Sequence, residues 1–131
     1  MGDSAPAARE PRAVRVMIVD DKPVMRRVLR ALLEQMGFAV LAEAADGREA
    51  VELAERHCPD VVLMDVDMPV MNGVEATRRI RAACPRVAVV GLSLHDGSRT
   101  RQRMIEAGAA EFLSKGCPSE AIREAVLAAA G

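Results

Sequence analysis

The sequence predicts an α/β protein, a doubly wound sandwich built on a five-stranded parallel sheet. Three observations carry that reading. Short β-branched runs alternate with amphipathic stretches five times along the 131 residues. The runs VMIV, VVLM and VAVV are apolar at every position, as strands covered on both faces must be. Each run is parted from the next by a segment long enough to be a crossover helix, which parallel pairing requires.

The elements follow in order. Residues 1–13 (MGDSAPAAREPRA) are Ala-, Pro- and polar-rich without periodicity, and read as a flexible leader preceding a domain over 14–131. Val14–Asp20 is the first strand. Pro23–Met36 is a helix: Val24, Val28, Leu32 and Met36 recur at i+4 beside Met25, Leu29 and Leu33. Pro23 suits its first turn and Gly37 its end. Phe38–Ala44 is the second strand. Gly47–His57 is a helix with Ala50, Leu53, Ala54 and His57 on one side, stopped by Pro59. Val61–Asp65 is the third strand. Val74–Ala83 is a helix with Val74, Thr77 and Ile80 inward, followed by Pro85. Val87–Ser93 is the fourth strand, and Ser98–Ala107 is a helix closed by Gly108. Ala110–Ser114 is the fifth strand. Ser119–Ala129 is the last helix, with Ser119 as its expected N-cap. The strand order expected for such an alternation is 2-1-3-4-5, the flavodoxin-like arrangement.

Composition narrows the function. A formal net charge of −1 removes the electrostatic grip on which nucleic-acid binding rests. Phe38 and Phe112 are the only aromatic residues, too few for base-stacking platforms. The longest strictly apolar stretch, Ala125–Ala130, is far short of the roughly 18 residues of a spanning helix. No signal peptide is visible, so the expected location is the cytoplasm, away from the membrane. Cys58, Cys84 and Cys117 are widely spaced, with no C-x-x-C for a zinc ribbon. Of 18 basic residues only two are lysines, Lys22 and Lys115, which makes each worth following.

Ligands of open parallel sheets bind beyond the C-terminal ends of the strands. The residues at those ends are Asp20-Asp21, Asp65, Ser93 and Ser114-Lys115. Strand two offers Glu43, which an edge position should keep away. Three crowded carboxylates repel one another. A hard cation resolves the repulsion, and one or two carboxylates with water and phosphoryl oxygens are how magnesium usually binds. An Asp carboxylate beside such an ion can attack phosphorus and form an aspartyl-phosphate. A lysine and a hydroxyl suit the three equatorial oxygens over which charge spreads. His95 is expected to be a solvated loop residue, His57 and Cys58 to close a helix, and Arg26-Arg27 and Arg78-Arg79 to form solvated faces. The first arginine pair could also meet a partner.

The segments VMIVDDKPVMRRVL, PDVVLMDVDMPVMNGVEATRRIR, VAVVGLS and AGAAEFLSK together resemble the receiver domain of two-component response regulators. The resemblance covers nearly all of the chain after the leader. It implies that Asp65 is the phosphoacceptor and that Asp20 and Asp21 hold Mg2+ with Asp65. It implies that Asp67 gives the ion a main-chain carbonyl. Ser93 and Lys115 would contact the phosphoryl group, with Ser93 and Phe112 forming a switch in which Phe112 moves inward after phosphorylation. The implied partner is a histidine kinase or phosphotransfer domain. The face of helix four, strand five and helix five would meet an output domain or dimer partner. The chain would catalyse its own phosphorylation and dephosphorylation at Asp65 rather than act as a multiple-turnover enzyme. Because the sequence closes with helix five, a stand-alone receiver or one cut from a hybrid kinase or transcription factor is expected. Two departures stand out. Lys115 is followed by Gly116-Cys117-Pro118 rather than directly by proline, so no cis bond is expected there. The switch position holds Phe, which has no hydroxyl.

Two other readings compete. Asp65-Val66-Asp67 also resembles the D-x-D of haloacid-dehalogenase-like Mg2+-dependent phosphatases. Those carry the motif on the opening strand and a further acidic motif after the lysine, and neither feature is present here. A non-phosphorylated interaction module would have no use for the intact acidic set.

Overall fold

The computed structural model describes residues 13–68, 71–94 and 97–131. Residues 1–12 of the expected leader, and His95, lie outside the described residues. The elements are β1 (Arg15–Val19), α1 (Pro23–Gln35), β2 (Ala39–Ala44), α2 (Gly47–His57), β3 (Val61–Asp65), α3 (Gly73–Ala83), β4 (Ala88–Ser93), α4 (Ser98–Glu106), β5 (Glu111–Ser114) and α5 (Ser119–Ala130). The strands form one sheet in the order β2-β1-β3-β4-β5, every neighbouring pair parallel. Expected boundaries differ from these by a residue at most.

Alternation along the strands divides the core between two faces. Val16, Ile18, Leu63, Val90 and Leu92 point to one, where Leu29 and Leu33 of α1 and Ile122 and Val126 of α5 cover them. Met17, Val19, Val62, Met64, Val89 and Phe112 point to the other, under Ala50 and Ala54 of α2, Val74 and Ile80 of α3 and Met104 of α4. The methionines Met17, Met64 and Met104 are fully buried packing residues.

Two local expectations change. Ser119 does not cap α5: Pro118, extended at φ −62° and ψ 151°, occupies the N-cap, and no side chain caps that end. Chain direction is set by the proline, which puts Ser119 inside the first turn. On α1, Leu29 and Leu33 are buried, but Val24 and Val28 are 67% and 54% exposed. The apolar stripe is wider than the strip of sheet beneath it. Phe112 lies inward in this structure, its ring buried and the residue 1% exposed.

Candidate functional site

Three strand ends bring the chemistry together. Asp20 follows β1, Asp65 ends β3 and Lys115 follows β5. Asp20, Asp21 and Asp65 each place a carboxylate oxygen within 4.8 Å of the other two. Asp20 and Asp65 are each 1% exposed. Lys115 Nζ lies between them, 3.2 Å from Asp20 Oδ2 and 3.1 Å from Asp65 Oδ1, its own side chain 4% exposed. The main chain supplies further donors: the Lys22 N–H donates to Asp20 Oδ1 at 2.8 Å, and the Asp67 N–H to Asp65 Oδ1 at 2.9 Å.

Burial raises the Asp65 carboxyl above its ordinary range, and the neighbouring Asp20 charge adds to this. The Asp67 N–H and the Lys115 ammonium pull the other way without overcoming it. Lys115 is pulled down by burial, but its bonds and charge interactions with Asp65 and Asp20 leave it above the ordinary lysine range. One ammonium shared between two carboxylates satisfies itself better than it satisfies them.

Backbone packing sets this geometry. A Cβ on Gly73 would stand 2.6 Å from the Asp65 carbonyl oxygen and 2.7 Å from Val66 Cα. Glycine therefore lets the N-terminus of α3 close onto the end of β3. Asn72 caps that helix by accepting from the Glu75 N–H at 3.0 Å.

The acceptors left over indicate what the site can bind. Asp21 Oδ1 and Asp65 Oδ2 are buried with no hydrogen-bond partner among the described residues. Lys22 Nζ reaches only to 3.8 Å from that Asp21 oxygen and is itself exposed. Two orphaned carboxylate oxygens among three acids fit a hard divalent cation with oxygen ligands, such as Mg2+. Asp20, Asp21 and Asp65 are the side chains that would hold it.

Several residues escaped the sequence reading. Both lysines of the chain stand at this rim, Lys22 beside Asp21 and Lys115 between Asp20 and Asp65. Arg26, expected to be solvated, is partly buried and donates to the Asp20 main-chain oxygen at 2.7 Å. It also reaches Glu43 at 3.3 Å, and Arg30 bonds the same carboxylate. Glu43 thus stays out of the acidic cluster, as expected of an edge strand, yet anchors the arginine that braces it. Ser114 turns back on its own loop, accepting from the Gly116 N–H at 3.1 Å. Asp67 contributes a side chain as well as backbone: its Oδ2 accepts from the Ser93 hydroxyl at 3.1 Å and the Leu94 N–H at 3.3 Å.

Beneath Ser93, Gly91 pairs with Phe112 across β4 and β5. A Cβ at Gly91 would meet the Phe112 ring at 3.1 Å and the Met104 methyl at 2.8 Å, so the missing side chain is the slot in which the ring sits. Arg101 of α4 lies over that ring, 5.4 Å from its centroid, and donates to the Phe112 carbonyl at 3.1 Å. A cavity of about 730 Å³ lies at the other end of the sheet, lined by Asp60, Cys58, Cys84 and Val87 among others, and shares no residue with this cluster.

Comparison with known proteins agrees with the geometry. Residues 16–127 match the family described as response regulator receiver domain. The chain is 41% identical over 114 residues to the transcriptional regulatory protein DegU of Brevibacillus brevis, covering 86% of this chain and 48% of DegU. It is 44% identical over 104 residues to a protein-glutamate methylesterase/protein-glutamine glutaminase of Haloarcula marismortui, covering 78% and 28%. It therefore spans about half or less of the length of these curated relatives. Among solved structures, the signal receiver domain of the putative response regulator NarL from Mycobacterium tuberculosis superposes with a TM-score of 0.85 at 38% identity, over 92% of this chain and 98% of that one. The receiver domain of sensor histidine kinase PA1611 from Pseudomonas aeruginosa, with a magnesium ion coordinated in its active site cleft, gives 0.82 at 32% identity over 92% and 99%.

Proposed function

This chain belongs to the response regulator receiver family, and we propose that Asp65 is its phosphoacceptor. The observation that carries the assignment is the unequal state of its two oxygens. Oδ1 is held by Lys115 and the Asp67 N–H, while Oδ2 is buried beside Asp20 and Asp21 and has no hydrogen-bond partner among the described residues. Burial of the carboxyl without enough compensating donors makes it a strained anion awaiting an electrophile or a cation.

In the reaction, Asp65 attacks the phosphorus of a phosphohistidine on a kinase or phosphotransfer domain. An O–P bond forms at Asp65, the P–N bond breaks, and its electron pair leaves on the imidazole nitrogen. Lys115 offers its ammonium to the oxygens that gain charge. Asp20, Asp21 and Asp65, with the Asp67 carbonyl, would hold Mg2+, whose positive charge would offset the charge gathering on those same oxygens. Ser93 supplies a hydroxyl donor from β4. The Asp67 carboxylate is engaged with Ser93 and Leu94, which disfavours the general acid–base role a D-x-D phosphatase would give it.

Incubation with acetyl phosphate and Mg2+, followed by intact-mass measurement, should give one phosphoryl adduct. EDTA should abolish it and Asp65→Asn should show none. An adduct of wild-type yield in Asp65→Asn would place the acceptor elsewhere.

A further inference from the structure

The Asp67 side chain has a job that its place in the acidic rim does not by itself suggest. We propose that the Asp67 carboxylate is an internal acceptor that holds Ser93 and the end of β4 before phosphorylation, so that switching is the exchange of one anionic acceptor for another. The inference rests on the phosphoacceptor reading of Asp65.

Three observations support it. Asp67 Oδ2 takes two donors at once, the Ser93 hydroxyl at 3.1 Å and the Leu94 N–H at 3.3 Å. Two converging donors on one oxygen form a small anion cradle at the C-terminal end of β4, the kind of donor set a phosphoryl oxygen would use. The same residue is tied to the acceptor: its own N–H donates to Asp65 Oδ1 at 2.9 Å. Asp67 therefore spans the gap between the reacting carboxylate and β4, main chain on one side and side chain on the other. Finally, the strand it holds carries Gly91, two residues before Ser93, which forms the slot for the buried Phe112 ring. With β4 already drawn to a carboxylate, the ring is already in.

A hydroxyl has one hydrogen to donate. When Asp65 carries a phosphoryl group, its oxygens compete with Asp67 Oδ2 for that hydrogen, and the new negative charge opposes the Asp67 carboxylate two residues away. Asp67 is thus a positioning residue: it acts through Ser93, and its hold on that hydroxyl is what a phosphoryl group must displace.

The test compares backbone amide NMR spectra of wild type, Asp67→Asn and Asp67→Ala, free and titrated with beryllofluoride and Mg2+. In the free proteins, Asp67→Ala should move the Leu94 and Ser93 signals upfield. Asp67→Asn, whose carboxamide oxygen can accept the same bonds, should keep them close to wild type. In the titration, Asp67→Ala should reach half-saturation at a several-fold lower beryllofluoride concentration than wild type, with Asp67→Asn between. Unchanged Leu94 and Ser93 signals in free Asp67→Ala would overturn the proposal whatever beryllofluoride does. Equal titrations for Asn and Ala would assign the effect to charge alone and sink the exchange. A wild type that ignores beryllofluoride, with the Leu94 shift of Asp67→Ala intact, would instead refute the phosphoacceptor reading and the exchange built on it.

Discussion

Lys115 offers one ammonium to two buried carboxylates, and the mismatch predicts how single substitutions behave. Asp65 titrates above its ordinary range because burial disfavours its charged form. A carboxyl raised in the folded state binds its proton more readily there than in the unfolded chain. It therefore weakens the fold at neutral pH, and that penalty is relieved as pH falls through the folded value. Asp65→Asn should be more stable than wild type in EDTA at pH 7, on the order of 1 kcal/mol. It should gain less from Mg2+, and its advantage should shrink on acidification. Lys115 is also raised, but as a cation this is stabilising. Its contribution is complete below the ordinary lysine range and is lost as pH climbs through the folded value. Lys115→Ala should cost about 3 kcal/mol or more, since it strands two buried charges. Urea melts of the three proteins with EDTA and with excess Mg2+ check both. An Asp65→Asn protein clearly less stable than wild type in EDTA would mean that the acids do not strain one another.

At the scale of elements, two termini carry opposite expectations. The close approach at Gly73 is to backbone atoms, which cannot swing aside as a side chain can. Gly73→Ala should push α3 off the end of β3, costing about 1–3 kcal/mol. It should also reduce the yield of the Asp65 adduct, since the displaced atoms include the Asp65 carbonyl. Conversely, Cys58 closes α2 in the left-handed region at φ 45°. Cys58→Gly relieves that strain and should raise stability by about 0.5–1 kcal/mol, measured by denaturant midpoint. The elements themselves were readable because short runs apolar at every position stand apart from stretches of period 3.6, and because Pro23, Pro59 and Pro85 punctuate them. Caps were read less well. Asp46 accepts from the Glu49 N–H and Asn72 from the Glu75 N–H, yet neither stood out beside the catalytic-looking acids. Ser119 looked like a cap because serine favours that position, and the preceding Pro118 took it instead.

For the whole molecule, the parallel order β2-β1-β3-β4-β5 follows from apolar runs and crossover lengths, and it explains why the strand-end residues of the sequence converge. Asp20, Asp21, Asp65 and Lys115 could be named in advance because their strands are adjacent or nearly so. Arg26, Glu43 and the Asp67 side chain could not. Their roles depend on which way a helix face or loop turns, and periodicity carries no information about a guanidinium reaching a carbonyl. The exposure of Val24 and Val28 was hidden for the same reason: a stripe of apolar residues states that a face is buried somewhere along its width, and only the sheet's dimensions say where it stops. Among the described residues no helix is long and apolar enough to cross a membrane.

The bond from Lys115 to Asp20 joins positions 95 residues apart. Such a contact closes a very large loop, and it has value only after β1, β3, β4 and β5 have lined up between its ends. The acidic pocket should therefore form late, after the barrier that folding must cross. A cation that binds there has nothing to hold until the sheet is complete. Mg2+ should therefore act as a brake on unfolding rather than an aid to folding. In a chevron experiment at ten times the dissociation constant, the unfolding limb should slow about tenfold while the folding limb stays where it is. A folding limb accelerated by Mg2+ would mean that the three acids gather before the sheet does.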